Sequence, residues 1–393
     1  MGIFDPENVL ILSTGSGIGG MERVVLSLAQ GCAERAVRAR VVVPAANESE
    51  KTRAWFREHG IESETSDVLK NAFGRRRLTD VPALRRFIAA SPAPVVNLHY
   101  CMGFPSLNDV LAVRLAGKRC VVSLHVAPAN TTPERARKTR AATALCDTVV
   151  AVSGYLGQQL IAGGVPAEKV RIIRCAVPIP PQSDARRRAA RRRFGIAAES
   201  FVVSAVARLD RQKSVSDLVE ALGRISDRAR TTDLLVVGEG PERDTLQALA
   251  DRLLPGRCRF FGHVTDPGEL SDIYRASDLF ALPSRNETFG LVYAEAAAHG
   301  LATIGCAVGG VPETILDGET GILTPSGDVG ALGAAISRLR SDAPLRERMG
   351  RAGRLRAAQE FSLGRMAGDY LEFLLPDRNA RYRSASVGQP SLP

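Results

Sequence analysis

The sequence predicts an α/β protein of two Rossmann-like, doubly wound domains, each built on a parallel sheet. Short apolar runs rich in β-branched residues alternate with longer amphipathic stretches from end to end, which is the signature of βα units. A chain of 393 residues exceeds what one hydrophobic core usually serves. The alternation breaks once, at Pro178, Pro180 and Pro181, and then begins afresh.

In the first half the strand candidates are 9–13, 39–43, 95–98, 120–124, 148–152 and 170–173, with helical patterns at 22–35, 106–115, 133–144 and 153–162. After the prolines comes an arginine-rich stretch, 186–193, whose spacing is helical. It reads as the solvated face of a connecting helix, with a membrane-surface contact as the sharper alternative. The second alternation places strands at 201–206, 234–237, 259–261, 279–282, 302–305 and 321–323. Helices at 215–225, 242–253, 267–275, 291–299 and 329–340 separate them. A last helical pattern ends before Pro376. The expected organisation is a first domain over 1–178, a linker over 179–200, a second domain over 201–362, a helix over 363–376 returning towards the first domain, and a mobile tail over 377–393. Two doubly wound domains put ligands in a cleft where the carboxyl ends of their strands face each other.

Composition narrows the class. Hydrophobic residues make up 45% and charged residues 24%, so the chain has the make-up of a folding globule and not of a disordered one. The seven cysteines are not spaced as a metal knuckle or redox pair and read as reduced thiols of a cytoplasmic protein. The start MGIFDPENVLILS lacks the pattern of a secretory signal, and no run reaches the ~18 apolar residues of a membrane span. The expected setting is cytoplasmic, with the inner face of a membrane as a peripheral alternative. A net charge of +10, concentrated at Arg75, Arg76, Arg77 and 186–193, favours acidic partners such as a phosphate-bearing substrate or an anionic membrane surface. Nucleic acid ranks last, because aromatic residues are only 5% and no recognition motif for it is present.

The strongest motif is PSRNETFGLVYAEAAAHG, residues 283–300. A strand runs into a polar loop, and the following helix is closed by Gly300. Glu287 falls in the loop and Glu295 on the helix, with seven residues between them. The backbone N–H groups of Phe289, Gly290 and Leu291 start that helix, where unpaired donors and the dipole favour a phosphate. One carboxylate can hold sugar hydroxyls and the other a ribose; the bland alternative makes Glu287 a cap and Glu295 a solvent-facing residue. A second cluster, Arg208 to Lys213, follows the strand 201–206, where two cations can converge on a diphosphate. Gly238 and Gly240, in VVGEGP, allow close backbone approach to a flat ligand or merely make a tight turn.

In the first domain Gly15, Gly17 and Gly20 fit the dinucleotide-binding spacing. The second strand ends Val41-Val42-Val43-Pro44 with no carboxylate for a ribose, which disfavours a nicotinamide oxidoreductase. His99 and His125 each follow a first-domain strand, a place where a structural role is the commoner one. Ser153 stands where a helix N-cap is needed.

With these motifs the chain resembles the retaining glycosyltransferases of the GT-B architecture, the large group 1 and family 4 set that includes many bacterial polysaccharide and phosphoinositol mannosyltransferases. The resemblance covers nearly the whole chain. It implies that Glu287 contacts hydroxyls of the donor sugar, that Glu295 holds the ribose, and that Arg208 and Lys213 meet the donor phosphates. It further implies that the base lies over Gly238 to Gly240, flanked by Phe261, Gly262 and His263, that Gly19 and Gly20 line an approach to the donor phosphate, and that His125 points at the reacting sugar. His99 is expected on the acceptor side, together with Arg75, Arg76 and Arg77, which either meet a phosphate or an anionic lipid head group there or simply form a solvated loop. The implied donor is a nucleotide diphosphate sugar, with no cofactor required and no metal, since no Asp-x-Asp motif stands in a suitable loop. The acceptor is a saccharide, a lipid-linked group or a small molecule. Two departures stand out: Ser214 replaces the glycine that commonly follows the lysine, and Arg174-Cys175-Ala176-Val177 replaces an Asn-Gly-Val-Asp segment. The rivals are a sugar-nucleotide epimerase on the same architecture and a non-catalytic membrane-associated module.

Overall fold

The structure, a computed structural model, describes residues 8–15, 17–69, 76–101, 104–126, 132–225 and 232–375. The expected tail over 377–393 and Arg75 lie outside the described residues. The chain divides into two compact units, one of Met1–Ala176 with Leu363–Pro393 and one of Val177–Ser362.

The first unit contains strands β1 (Val9–Ser13), β2 (Ala39–Pro44), β3 (Ser63–Ser66), β4 (Val95–Tyr100), β5 (Arg119–Leu124), β6 (Thr148–Ala151) and β7 (Val170–Ile172). Helices α1 (Gly20–Ala33), α2 (Ser49–Glu58), α3 (Val81–Ala89), α4 (Leu107–Leu115), α5 (Pro133–Leu145) and α6 (Gly154–Ala162) join them. The sheet order is β3-β2-β1-β4-β5-β6-β7 with parallel pairing. Its order reverses between β1 and β4, the switch point at which such sheets bind ligands. The inner strands are apolar because both faces are covered: Val9, Leu10, Ile11, Val95 and Val96 are fully buried. Ser153 accepts a hydrogen bond from the Leu156 N–H at 3.1 Å and so starts α6.

The second unit begins with α7 (Asp184–Arg193) and continues β8 (Phe201–Val206), α8 (Val215–Arg224), β9 (Thr232–Val237), α9 (Arg243–Leu253), β10 (Cys258–Phe260), α10 (Pro267–Ala276), β11 (Leu279–Leu282), α11 (Leu291–Ala298), β12 (Ala302–Cys306), α12 (Val311–Thr314), β13 (Gly321–Thr324), α13 (Val329–Ser341) and α14 (Ala343–Glu360). Its parallel sheet has the order β10-β9-β8-β11-β12-β13, with the switch point between β8 and β11. The loops that follow those two strands are the two basic and acidic motifs singled out in the sequence.

A last helix, α15 (Leu363–Leu374), belongs to the first unit. Met366, Ala367, Tyr370, Leu371 and Leu374 form its buried stripe, at helical spacing. Each of the larger side chains contributes roughly 1.5–3 kcal/mol of gross burial. A Cβ on Gly31 of α1 would stand 2.2 Å from that of Ala367, so glycine there lets the two helices touch. The guanidinium of Arg119 donates to the carbonyls of Phe373 at 2.6 Å and Leu374 at 3.2 Å, closing the C-terminus of α15.

The arginine-rich helix corrects the picture of a solvated face. Arg187 and Arg191 each donate at 2.6 Å to one oxygen of Asp278, and Arg191 also reaches the carbonyls of Ala276 and Ala198 at 3.0 Å. Arg193 pairs with Glu269 at 3.1 Å and Asp272 at 3.3 Å on α10. Arg186, Arg188 and Arg192 remain exposed. Half of the run therefore staples α7 to the unit's own sheet and α10.

Candidate active site

The acidic motif is held rigidly because every neighbour of its backbone is close. In α11 Gly300 takes φ +80°, and the N–H groups of Gly300 and Leu301 donate to Ala297 and Ala296 at 2.8 and 3.1 Å, a Schellman closure. The alanines that follow Glu295 are buried because α14 lies on them. A Cβ on Gly350 would fall 2.1 Å from the Gly300 carbonyl oxygen, and one on Gly353 would fall 3.3 Å from the Ala297 Cβ. At the other end Gly290 caps the helix at φ +84°, and a Cβ there would stand 2.6 Å from the ring of Tyr293. Phe289 turns its ring away, edge-on to Phe361 at 5.5 Å, leaving its backbone at the helix start.

Glu287 sits at the mouth of the switch point. Its Oε1 accepts the Lys213 ammonium at 2.7 Å and the Ser284 hydroxyl at 2.9 Å. The structure thus brings together the cation of the loop after β8 and the carboxylate of the loop after β11, which are 74 residues apart. Arg208 is 73% exposed at its side chain, with Asp210 at 3.6 Å. The Asp210 carboxylate accepts the N–H groups of Gln212 and Lys213 at 3.0 and 3.3 Å, which folds the loop into a tight turn. Glu295 is 7% exposed and accepts the hydroxyl of Tyr274 at 2.9 Å. His299 stands beside Tyr274 with ring centroids 4.8 Å apart, and burial pushes its pKa down to about 4.

The glycine turn after β9 has a reason in the chain itself. Gly238 has φ +131°, and a Cβ there would stand 1.8 Å from the Ala207 carbonyl oxygen; one on Gly240 would stand 2.3 Å from that of Leu209. Ala207 and Leu209 donate backbone hydrogen bonds to Val237 at 3.0 Å and Glu239 at 2.9 Å. These glycines are demanded by the neighbouring loop, whatever lies over them. His263 is exposed, and Phe261 packs edge-on to Phe194 at 5.1 Å.

In the first unit the two histidines form a pair. His99 Nδ1 and His125 Nε2 are 2.9 Å apart with nearly parallel rings. One nitrogen donates and the other accepts, so the accepting ring is neutral. Burial lowers the pKa of His125 to about 3, and burial followed by the charge of His125 lowers that of His99 well below the usual range. His99 is fully buried, so its place is behind His125 and not on the acceptor surface expected of it. Tyr370 of α15 stacks against His99 at 6.4 Å and donates to Ser123 at 3.2 Å.

Arg76 also departs from expectation. It is 6% exposed, ion-paired with Asp109, and donates to the Val68 carbonyl at 2.6 Å. The same Asp109 accepts the Tyr100 hydroxyl at 2.9 Å. A guanidinium so enclosed holds the unit together and cannot meet a head group, whereas Arg77 is exposed. Gly19 donates its N–H to Glu22 at 3.1 Å, and burial pushes the Glu22 carboxyl up to about 7. A Cβ on Gly15 would fall 2.0 Å from a Glu22 carboxyl oxygen, while nothing lies within 4 Å of one on Gly20.

Two family descriptions match the chain in tandem: "Glycosyltransferase Family 4" over residues 18–179 and "Glycosyl transferases group 1" over residues 186–356. The chain belongs to the GT-B glycosyltransferases. Among curated proteins, the chain is 36% identical over 214 residues to a D-inositol 3-phosphate glycosyltransferase of Corynebacterium aurimucosum, covering 51% of each chain. It is 32% identical over 245 residues to a GDP-mannose-dependent phosphatidylinositol monomannoside mannosyltransferase of Mycolicibacterium smegmatis, covering 60% of this chain and 64% of that one. The matched stretch spans about half the length of the first relatives, 51% and 44% of two of them. Among solved structures, Anabaena HepE in complex with UDP and glucose superposes with a TM-score of 0.78 at 22% identity, over 94% of this chain and 99% of that one.

Several residues that shape the site carry no motif signal in the sequence. Gly309, at φ +54°, would place a Cβ 1.9 Å from the Glu287 carbonyl oxygen, and Gly310 donates to that oxygen at 2.9 Å. The adjacent glycines in the loop after β12 were the available clue. Tyr274 lies on a different helix from Glu295, and only the folded chain reveals that pairing.

Proposed function

We propose that the protein transfers a sugar, with retention at the anomeric carbon, from a nucleotide diphosphate sugar held by the second unit. The contact of Lys213 with Glu287 at 2.7 Å carries this reading, because it joins a phosphate-binding cation to a sugar-binding carboxylate at a switch point. Glu295, steadied by Tyr274, takes the ribose hydroxyls. The helix start at Leu291 and the cations Arg208 and Lys213 stabilise the departing diphosphate, a contribution of the electrostatic kind that is usually the largest in such chemistry. The diphosphate's own oxygen accepts the acceptor's proton on the face it leaves, so the new bond forms on that face. In the first unit the neutral ring of His125 is able to donate to or accept from a hydroxyl. In the second, Gly238, Gly240 and His263 line the base.

Among the described residues no group of three or more His, Cys, Asp or Glu side chains could hold a metal, and we assign the phosphate charge to Arg208 and Lys213 without one. Among the described residues no helix is long and apolar enough to cross a membrane. Relatives named for inositol phosphate and phosphatidylinositol mannoside substrates favour a phosphate-bearing or lipid-linked acceptor, met by Arg77 on the exposed surface of the first unit. The work is placed in the cytoplasm or at the inner membrane face, in cell-envelope polysaccharide or glycolipid synthesis. Product analysis by NMR after incubation with a panel of nucleotide sugars and acceptors tests the reading. An axial donor should yield an axial glycoside; an equatorial product, or an isomerised nucleotide sugar formed without acceptor, would overturn it.

A further inference from the structure

Ser214 occupies a backbone conformation made for glycine, with φ 49° and ψ 39° as the cap of α8. Left-handed backbone is strained for a residue with a Cβ, so the serine must give something back. Its hydroxyl is engaged twice: it donates to the Arg211 carbonyl at 3.2 Å and accepts the Nε–H of Arg285 at 2.9 Å. Arg285 lies in the other site loop, two residues before Glu287. Its backbone N–H donates to the Gln212 carbonyl at 2.7 Å, and its Nη2 reaches Asp217 on α8 at 3.3 Å. One arginine therefore holds the residues on both sides of Lys213. The side chain of Lys213 closes the third tie, onto Glu287.

We infer that Arg285 and Ser214 form a clip that positions Lys213 against the departing diphosphate, a joint device for turnover and not for donor affinity. The inference rests on the donor-site reading above. A glycine at 214 would take the same backbone shape with less strain, but it would leave the Arg285 Nε–H without its acceptor and the lysine loop free to drift. Misplacement of a charge-stabilising group by about an ångström costs turnover steeply. The loss falls on kcat because the developing charge exists in the transition state and not in the bound donor. Arg285 is 57% exposed at its side chain, so its removal leaves no cavity in the core.

The test measures release of nucleoside diphosphate by the full chain from UDP-glucose, UDP-N-acetylglucosamine or GDP-mannose, whichever the wild type turns over, together with urea unfolding midpoints. Arg285→Ala and Ser214→Gly should each lower kcat roughly tenfold with the donor KM changed less than about threefold and the midpoint not lowered in Ser214→Gly. The double variant should be no slower than the slower single, since both remove one device. Unchanged kcat in either single variant, multiplicative losses in the double, or a loss residing in KM would overturn the clip. Lys213→Ala is run alongside: if it collapses while the clip variants do not, only the clip falls. If it turns over as the wild type does, or if the wild type releases nothing from any of the three donors, the donor-site reading falls and takes the clip with it.

Discussion

In the proposed reaction Lys213 is the residue on which the chemistry turns, and its partners define how it would act. An ammonium held at 2.7 Å from Glu287 is already placed when a diphosphate arrives, so little reorganisation remains for the reaction step. Lys213→Ala should reduce kcat by about two to three orders of magnitude, read as nucleoside diphosphate release; turnover within threefold of wild type would remove the residue from the mechanism. Tyr274 has the complementary role at Glu295. Tyr274→Phe deletes one hydrogen bond to a carboxylate and should raise the donor KM by about tenfold with kcat little changed, measured over a range of donor concentrations. The opposite split would mean that Glu295 acts on the reacting centre and not on the ribose. Glu287 and Glu295 were legible as a spacing, and Lys213 as a charge after a strand. Tyr274 and Arg285 were not, because their partners Glu295 and Ser214 lie on other elements and meet them only in the folded chain.

The elements explain why this site can be rigid while its sequence is short. α11 carries alanines on the face that α14 covers, and Gly350 lets the two backbones nearly touch. Gly350→Val would drive a branched side chain into the Gly300 carbonyl and should destabilise the protein by about 3 kcal/mol, visible as a lower urea midpoint; an unchanged midpoint would show that α14 does not brace the site. Asp278 is the matching tie on the other flank, with two arginines of α7 on its carboxylate. Asp278→Ala leaves both guanidiniums partly buried without their counter-charge and should cost about 3 kcal/mol, measured in the same way. Here the sequence misled in part. The pattern of 186–193 was helical and correctly placed, but charge alone does not say which arginines turn inward. α14 itself went unread because its buried stripe is made of Gly350, Gly353 and Ala357 as much as of Leu345 and Met349, and small residues leave a weak periodic signal. β3, with the sequence Ser-Glu-Thr-Ser, is an edge strand and lacks the apolar run that betrays inner ones.

At the scale of the whole molecule, acid stability follows from which groups fold into the interior uncharged. Burial lowers the pKa values of His99, His125 and His299, the last two to about 3 and 4. Between pH 6.5 and about 4 the unfolded chain binds protons at these rings that the folded chain does not, so their contribution to stability is complete above 6.5 and is lost as pH falls. Glu22 works the other way. Its folded pKa of about 7 against the ordinary carboxyl value of 4.5 gives stability that is full below 4.5 and lost as pH rises through 7. Three rings outweigh the two buried carboxyls with raised pKa values, Glu22 and Asp109, so the urea midpoint should drop on going from pH 6.5 to 4.5; a midpoint that rises would contradict neutral burial of the histidines. The doubly wound order of both sheets was predictable from the alternation of strands and helices, since right-handed crossovers leave few other topologies. The acceptor side was not, because the arginines thought to mark it divide between a buried ion pair at Arg76 and an exposed residue at Arg77.

The claim at the centre is that the second unit holds a nucleotide diphosphate sugar through Glu295, Glu287 and Lys213. Thermal unfolding of wild type and Glu295→Gln in the presence of a panel of nucleotide sugars tests it most directly. One member of the panel should raise the wild-type midpoint by a few degrees at about a hundredfold excess over its Kd, and the same concentration should leave the Glu295→Gln midpoint nearly unmoved. Equal shifts in both proteins, or none with any nucleotide sugar in the wild type, would contradict it.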